Sequence, residues 1–305
     1  LAIHLRKEGV SHQLGTGRDH ESKLDKRILK INGTRERQQS VLCEYLSLVW
    51  LTPQMDTLFL EGNTARRKFL DRLVYAFDPE HVTRVTAYEQ AMRERNKLLA
   101  QPMPDPHWLN VLEQQMAEAG VAITIARLDT LERITHAMEQ CAHRFAPSEL
   151  RLIGPTETAL AEGLKAVDAE AKLAGEMRAS RGLDAAVGRA MAGPHRSRFQ
   201  LIHKGKNREA AECSTGEQKL LLLSLLVYLA NARVSYGGEP PILLLDEVVS
   251  HLDVEHRKEL FDAMLVGGMQ TWMTGTDAAD FCGLEGKATW IKVVDGTAGS
   301  MDEKG

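Results

Sequence analysis

"PILLLDEVVSHLD", residues 241–253, is a short apolar run that ends on two acids and continues into a polar turn. A continuous apolar run of this length reads as a strand of a parallel sheet, covered by helices on both faces. In such sheets ligands gather outside the carboxyl ends of the strands. An aspartate at that end, Asp246, can hold Mg²⁺ or its water, and Glu247 beside it can orient or deprotonate an attacking water. Paired acids after a strand also serve as helix caps, and Asp253 within Ser250–Asp253 fits that simpler use. On this stretch alone both readings stand.

About thirty residues upstream lies "ECSTGEQKLLLLSLLVYLA", residues 212–230. The spacing Ser214-x-x-Glu217 predicts a capping box, in which the serine hydroxyl and the glutamate each satisfy a free backbone N–H of the helix start. That accounts for Ser214 and Glu217 but not for Gly216. A glycine in the first turn costs about 1 kcal/mol against alanine, so something close to the backbone is the natural reason for it. Helix N-termini of this kind attract anions through their free N–H groups and dipole. A plain capped core helix and a phosphate site remain open for this stretch; set beside Asp246 and Glu247, the two form one constellation.

The chain has 305 residues, 43% hydrophobic and 26% charged, with a formal net charge of −4. That is ordinary soluble composition, with material for a sizeable core and no global basic character. Any nucleic acid must therefore meet local cationic clusters. The candidates are Arg66, Arg67 and Lys68; Arg93, Arg95 and Lys97; and Lys204, Lys206 and Arg208. Each also reads as a solvated helix face or turn. The four cysteines, Cys43, Cys141, Cys213 and Cys282, have neither C-x-x-C nor zinc spacing and read as reduced cytosolic thiols. The apolar run Leu220–Ala230 is too short for the ~20 residues of a membrane span, so a cytoplasmic protein without a membrane partner is expected.

The organisation falls into three parts. Residues 1–78 read as strands, turns and short helices, with hairpins at "LAIHLRKEGVSHQLGTG" (1–17) and at Asn32-Gly33 within "DKRILKINGTRE" (25–36). Residues 79–192 are almost purely helical by pattern, broken at "PMPDP" (102–106) and again at "PSELRLIGPTETALAEGL" (147–164), and Leu131, Ile134, Met138 and Cys141 repeat as the seam of a helical hairpin or short coiled coil. Residues 193–305 return to strand–helix–strand alternation. The expected fold is α/β: one head with a mostly parallel sheet, interrupted by an inserted helical arm subdomain.

Signature-like turn, strand ending in Asp-Glu, and a following Ser-x-Leu-Asp loop occur in the order found in ATP-binding-cassette ATPases. With an inserted arm they resemble the DNA-repair and chromosome-structure branch. "LTPQMDTLFLEGNTARRKFLDRL" (51–73), "GPHRSRF" (193–199), "STGEQK" (214–219) and "TGTD" (274–277) are similar to the RecF family of recombination mediators, a resemblance running from about residue 10 to the C-terminus. It implies ATP and Mg²⁺ as cofactors and an ATP-dependent head-to-tail homodimer. Ser214 and Gly216 would contact the γ-phosphate held by the other subunit, Asp246 would serve Mg²⁺, Glu247 the attacking water, and Asp253 would cross the seam. Gln54 would stand near the metal, and Thr274 and Thr276 where related ATPases place a γ-phosphate-sensing histidine. His195 and Arg196 are family residues without a role derived from the residues. The implied function is an ATPase clamp that closes on DNA at single-strand/double-strand junctions and helps load recombinase with partner mediator proteins.

One departure is large. The chain contains no G-x-x-x-x-G-K-[ST] phosphate loop and begins at Leu1 in a strand pattern. On the resemblance, roughly the first 80 residues, a strand–loop–helix unit and a strand or two, are expected to be absent. A truncated, non-hydrolysing DNA-binding or interaction module is the alternative. A chromosome-condensing ATPase is disfavoured, because those have arms of hundreds of residues and the arm here spans only 79–192.

Overall fold

A helix that is apolar on every side must lie at the centre of its domain. Helix α8 (Thr215–Ser235) has 21 residues, and every residue from Gln218 to Ala230 is buried. Around it the computed structural model describes residues 2–7, 9–18, 27–36, 41–141, 146–250 and 252–300.

The chain divides into two compact units, Leu1–Ser47 and Leu48–Gly305. The first is an antiparallel meander of β1 (Ala2–Lys7), β2 (Val10–Arg18), β3 (Arg27–Ile31) and β4 (Thr34–Glu36), followed by α1 (Leu42–Tyr45). The two expected hairpins form. Asn32 and Gly33 both take positive φ, +50° and +82°, as a two-residue hairpin turn requires; residues 25 and 26 lie outside the described residues. Leu14, Leu29 and Ile31 make the small core.

In the second unit, β5 (Leu48–Leu51), β9 (Ile242–Leu245) and β10 (Thr271–Met273) form a parallel sheet in the order β10-β9-β5. α2 (Asn63–Val74) follows β5, and α9 (Val254–Val266) follows β9. Val49, Leu51, Leu243 and Leu245 face the core that surrounds α8. Of the cover expected on both faces, the helical core lies against this one. Register sets Trp50, Leu244 and Trp272 side by side across the sheet. All three are exposed, and the Arg72 guanidinium of α2 lies over the Trp50 ring at 4.4 Å.

The stretch expected as an arm, residues 79–192, contains α3 (His81–Leu99), α4 (Pro106–Gln140), α5 (Pro155–Ala161), α6 (Ala166–Ala179) and α7 (Arg181–Val187). The "PMPDP" break ends one helix and starts the next. Asp105 caps α4 by accepting from the His107 N–H at 2.8 Å, with Pro106 in the first turn. The arm has its own core, including Tyr88, Leu112, Met116, Leu173 and Met177. The heptad residues Leu131 and Ile134 join the head core around α8 instead of a seam within the arm. Residues 79–192 also contain a strand, β6 (Ser148–Ile153). It pairs antiparallel with β7 (Arg198–His203), which continues to β8 (Arg208–Glu209). A final antiparallel hairpin is β11 (Ile291–Val294) with β12 (Thr297–Ser300).

Where arm meets head, the "GPHR" segment is a fixture. Arg127 of α4 forms a bidentate pair with Asp71 of α2, at 2.8 and 2.9 Å, and donates to the Pro194 carbonyl at 2.9 Å. His81 also bonds Asp71. Burial alone would raise the Asp71 carboxyl, but the hydrogen bonds from His81 and Arg127 outweigh it and hold the group below the usual carboxylate range. His195 Nε2 donates to the Ala190 carbonyl at 2.9 Å, which leaves Nδ1 to accept from the Tyr88 hydroxyl at 2.6 Å. Gly193 has φ +126°, and a Cβ there would lie 2.2 Å from the Tyr88 hydroxyl oxygen. His195 is therefore a packed structural histidine, its pKa lowered first by burial.

Candidate functional site

At the carboxyl end of β9 the chain must turn from a buried strand back into the core. Asp246 and Glu247 are exposed, while Val248 and Val249 beyond them are buried. Glu247 makes this turn in the left-handed region, φ +49°, a conformation that costs a side-chain-bearing residue about 1–2 kcal/mol. Neighbouring strands hold it in place. The Asp246 N–H donates to the Leu51 carbonyl of β5 at 2.9 Å. The Thr274 hydroxyl, just past β10, donates to Asp246 Oδ1 at 2.5 Å and accepts from the Glu247 N–H at 3.0 Å. From beneath, Lys219 of α8 donates to the carbonyls of Glu247 and Ser250 at 2.8 and 3.1 Å. Two carboxylates thus face solvent on an immobilised backbone.

The start of α8 forms both halves of the predicted capping box. The Glu217 N–H donates to Ser214 Oγ at 3.4 Å, and the Ser214 N–H donates to Glu217 Oε2 at 2.9 Å. The Ser214 hydroxyl also donates to that carboxylate, at 3.0 Å. Lys206 pairs with Glu217 as well. Hydrogen bonds from Lys206 and then from the Ser214 amide bring the Glu217 carboxyl down to about 2. Gly216 lies in the first turn. The plain capping reading is thereby realised in full, and the Ser214 hydroxyl must leave Glu217 before it can meet an anion.

The remaining expected site residues scatter around these two ends. Gln54 is exposed in the short 3₁₀ segment Pro53–Thr57 after β5. Asp253 is the N-cap of α9, accepting from the His256 N–H at 2.9 Å, and that bond is the first cause of its lowered pKa. Thr276 is exposed beyond β10. Sequence reasoning assigned no role to Lys219 or Asp56, whose side chains lie 3.5 Å apart. The signal was present, since both stand in quoted motifs, and a lysine opening a helix buried on all sides has to find acceptors.

The cationic clusters separate clearly. Arg95 is fully buried between Glu113 and Asp184, at 2.9 and 2.7 Å, so its set cannot act as a surface triad. Arg66 pairs with Glu209 at 2.6 Å, and Arg67 donates to the Ser197 carbonyl at 3.0 Å. Lys68, Lys204, Lys206 and Arg208 are exposed, with Lys206 neutralised by Glu217. A cleft of about 540 Å³ runs along α4 at Leu128–Glu139 against Leu150, Leu152 and Tyr236, and none of the site residues lines it. Among the described residues no group of three or more His, Cys, Asp or Glu could hold a metal ion. No helix among them is long and apolar enough to cross a membrane.

No protein-family model matches the chain. Curated relatives do. The chain is 42% identical over 286 residues to the DNA replication and repair protein RecF of Allorhizobium ampelinum, covering 93% of this chain and 76% of the relative. It is 42% identical over 302 residues to the protein of the same name from Rhizobium rhizogenes, covering 97% and 80%. Among solved structures, the recombination mediator protein RecF, described as RecF-ATPrS in the RecFOR pathway, superposes with a TM-score of 0.80 at 22% identity. That match covers 97% of this chain and 78% of the other. The likeness in structure shows the α/β fold.

Proposed function

Because the chain belongs to the RecF family of DNA replication and repair proteins, we propose that its acidic turn and its α8 cap are two halves of an ATP site completed between subunits. The observation that carries this reading is the pair of solvent-facing carboxylates, Asp246 and Glu247, on a backbone tied to β5, β10 and α8. A donor set of one carboxylate with a neighbouring hydroxyl suits Mg²⁺, which keeps most of its ligands as water and phosphate oxygens. It does not suit a metal caged by protein alone. Asp246 would hold the ion and Thr274 would orient Asp246. Glu247 would accept the proton of the attacking water, and Gln54 and Thr276 lie on segments leading from the same sheet edge. The ion would neutralise charge developing on the phosphates. Ser214 and Gly216, at the N-terminus of α8, would bind the γ-phosphate of the partner's nucleotide, with Asp253 at the seam.

The phosphate loop of that site belongs, on this reading, to sequence outside these 305 residues, whose relatives are longer. The 305-residue chain alone should then show little ATP hydrolysis. DNA would be met through phosphate contacts from Lys68, Lys204 and Arg208, with little sequence preference and a steep loss of affinity with salt. Single-strand/double-strand junctions, mediator partner proteins and a cytoplasmic location complete the proposal.

The test uses a chain that carries these residues together with a phosphate loop. Glu247→Gln should retain ATP binding, slow hydrolysis and accumulate ATP-bound dimers in sedimentation, whereas Ser214→Arg should block dimerisation. Normal dimerisation of Ser214→Arg would return Ser214 to a helix cap alone. Failure of any such chain to hydrolyse ATP would favour the non-hydrolysing DNA-binding module.

A further inference from the structure

Lys219 is the one residue carrying a charge at neutral pH among the thirteen consecutive buried positions of α8, and its side chain is 3% exposed. A buried ammonium has to be fully engaged by acceptors. Its acceptors come from two other segments. The Glu247 carbonyl, the Ser250 carbonyl and the Ser250 hydroxyl lie at 2.8, 3.1 and 3.0 Å, and Asp56 Oδ2 lies at 3.5 Å. The Ser250 hydroxyl in turn donates to the Glu247 carbonyl at 2.7 Å.

This places one cation at the crossing of the segment after β5, the start of α8 and the turn after β9. The left-handed conformation of Glu247 points its carbonyl inward to Lys219, while its carboxylate is exposed. Without the ammonium, the inward Glu247 carbonyl would keep the Ser250 hydroxyl at 2.7 Å and the longer Ser250 N–H at 3.4 Å among the donors described. It would lose its one charged donor, and the strained turn would be free to relax.

We infer that Lys219 is a positioning residue: it fixes the backbone of Glu247 so that the carboxylate stands where an attacking water would be deprotonated, with Asp56 balancing its charge. This rests on the reading of Glu247 given above. Because Lys219 is five residues from Ser214 on one rigid helix, the phosphate-binding cap and the acidic turn are also tied into one body.

The experiment compares Lys219→Met, which keeps length and loses charge, with Lys219→Arg and Asp56→Asn. In the 305-residue chain, hydrogen exchange is followed over the amides of residues 246–250 and 252. Lys219→Met should speed their exchange by at least about tenfold, the size expected for losing hydrogen bonds to a charged group. Amides of residues 222–235 should keep wild-type protection, which shows that the variant is folded. Lys219→Arg should restore much of the protection, and Asp56→Asn should fall between.

In a chain that also carries a phosphate loop, Lys219→Met should lower kcat by roughly 100-fold, as misplacement of a reacting group does, and leave the KM for ATP unchanged. Wild-type exchange and wild-type kcat in Lys219→Met, alongside loss of turnover in Glu247→Gln, would overturn the role of Lys219 and leave the site reading intact. Unchanged turnover in Glu247→Gln would overturn both. Equal losses in kcat and ATP affinity would mark Lys219 as general scaffolding and overturn the positioning role.

Discussion

Inside the arm, Arg95, Glu113 and Asp184 are sealed from solvent and satisfy one another; at the end of β9, Asp246 and Glu247 face solvent over a backbone held from three sides. Arg95 donates to Glu113, to Asp184 and to the Met177 carbonyl, and Arg181 adds a second cation to Glu113. A charge can be buried only when its hydrogen-bonding capacity is met this completely. In the arm, folding uses the charges up. At β9, folding spends hydrogen bonds on the main chain and leaves the side-chain charges for something else. The same residue types therefore act as scaffold in one region and as a candidate site in the other, and exposure with an anchored backbone separates the two.

The contrast breaks first, if it breaks, at Arg95. Arg95→Met leaves Glu113 and Asp184 facing each other without their shared cation, and should cost about 3–5 kcal/mol of stability in urea unfolding. A loss below about 1 kcal/mol would mean that the arm's charges are not its scaffold.

A smaller effect is expected at the start of α8, where one group has both uses. Ser214→Ala removes the cap and should cost about 1 kcal/mol. Glu217 makes this end pH-dependent. Its folded pKa, about 2, lies below the ordinary 4.5. The ionised form is thus favoured by folding, and the contribution is complete above about 4.5 and fades as pH falls toward 2. The difference in thermal midpoint between wild type and Glu217→Gln should accordingly narrow across that window. A difference independent of pH would show that Lys206 and Ser214 do not hold the carboxylate.

How far the sequence foretold this depends on range. The Ser214–Glu217 box and the Asn32-Gly33 hairpin are local, set by a few neighbouring residues, and both were legible. So was the acidic strand end, because four consecutive apolar residues before Asp246 specify a sheet interior. What escaped was long-range. Arg95 stood among evenly spaced cations and read as surface, since Glu113 and Asp184 are 18 and 89 residues away. β6 lies in the second break of the helical segment, and its strand character escaped because its partner, β7, comes some fifty residues later. Lys219 was given no role because its acceptors, the carbonyls of Glu247 and Ser250, come 28 and 31 residues later. The more exposed sheet face was also invisible: Trp50 and Leu244 are as apolar as Leu51 and Leu245, and periodicity cannot tell which side is the more buried.

The smallest expected effect on stability belongs to the acids themselves, and it carries the sharpest test of the comparison. Asp246→Asn keeps an oxygen that can accept from the Thr274 hydroxyl, and Glu247→Gln touches none of the bonds that anchor the turn, which all reach its main chain. Both variants should unfold within about 0.5 kcal/mol of wild type, as surface substitutions do. Removing one of two adjacent negative charges would if anything stabilise the turn. Turnover, in a chain with a phosphate loop, should fall steeply in the same two proteins. Losses of stability above about 2 kcal/mol in either would place Asp246 and Glu247 with Arg95, as charges that the fold itself consumes.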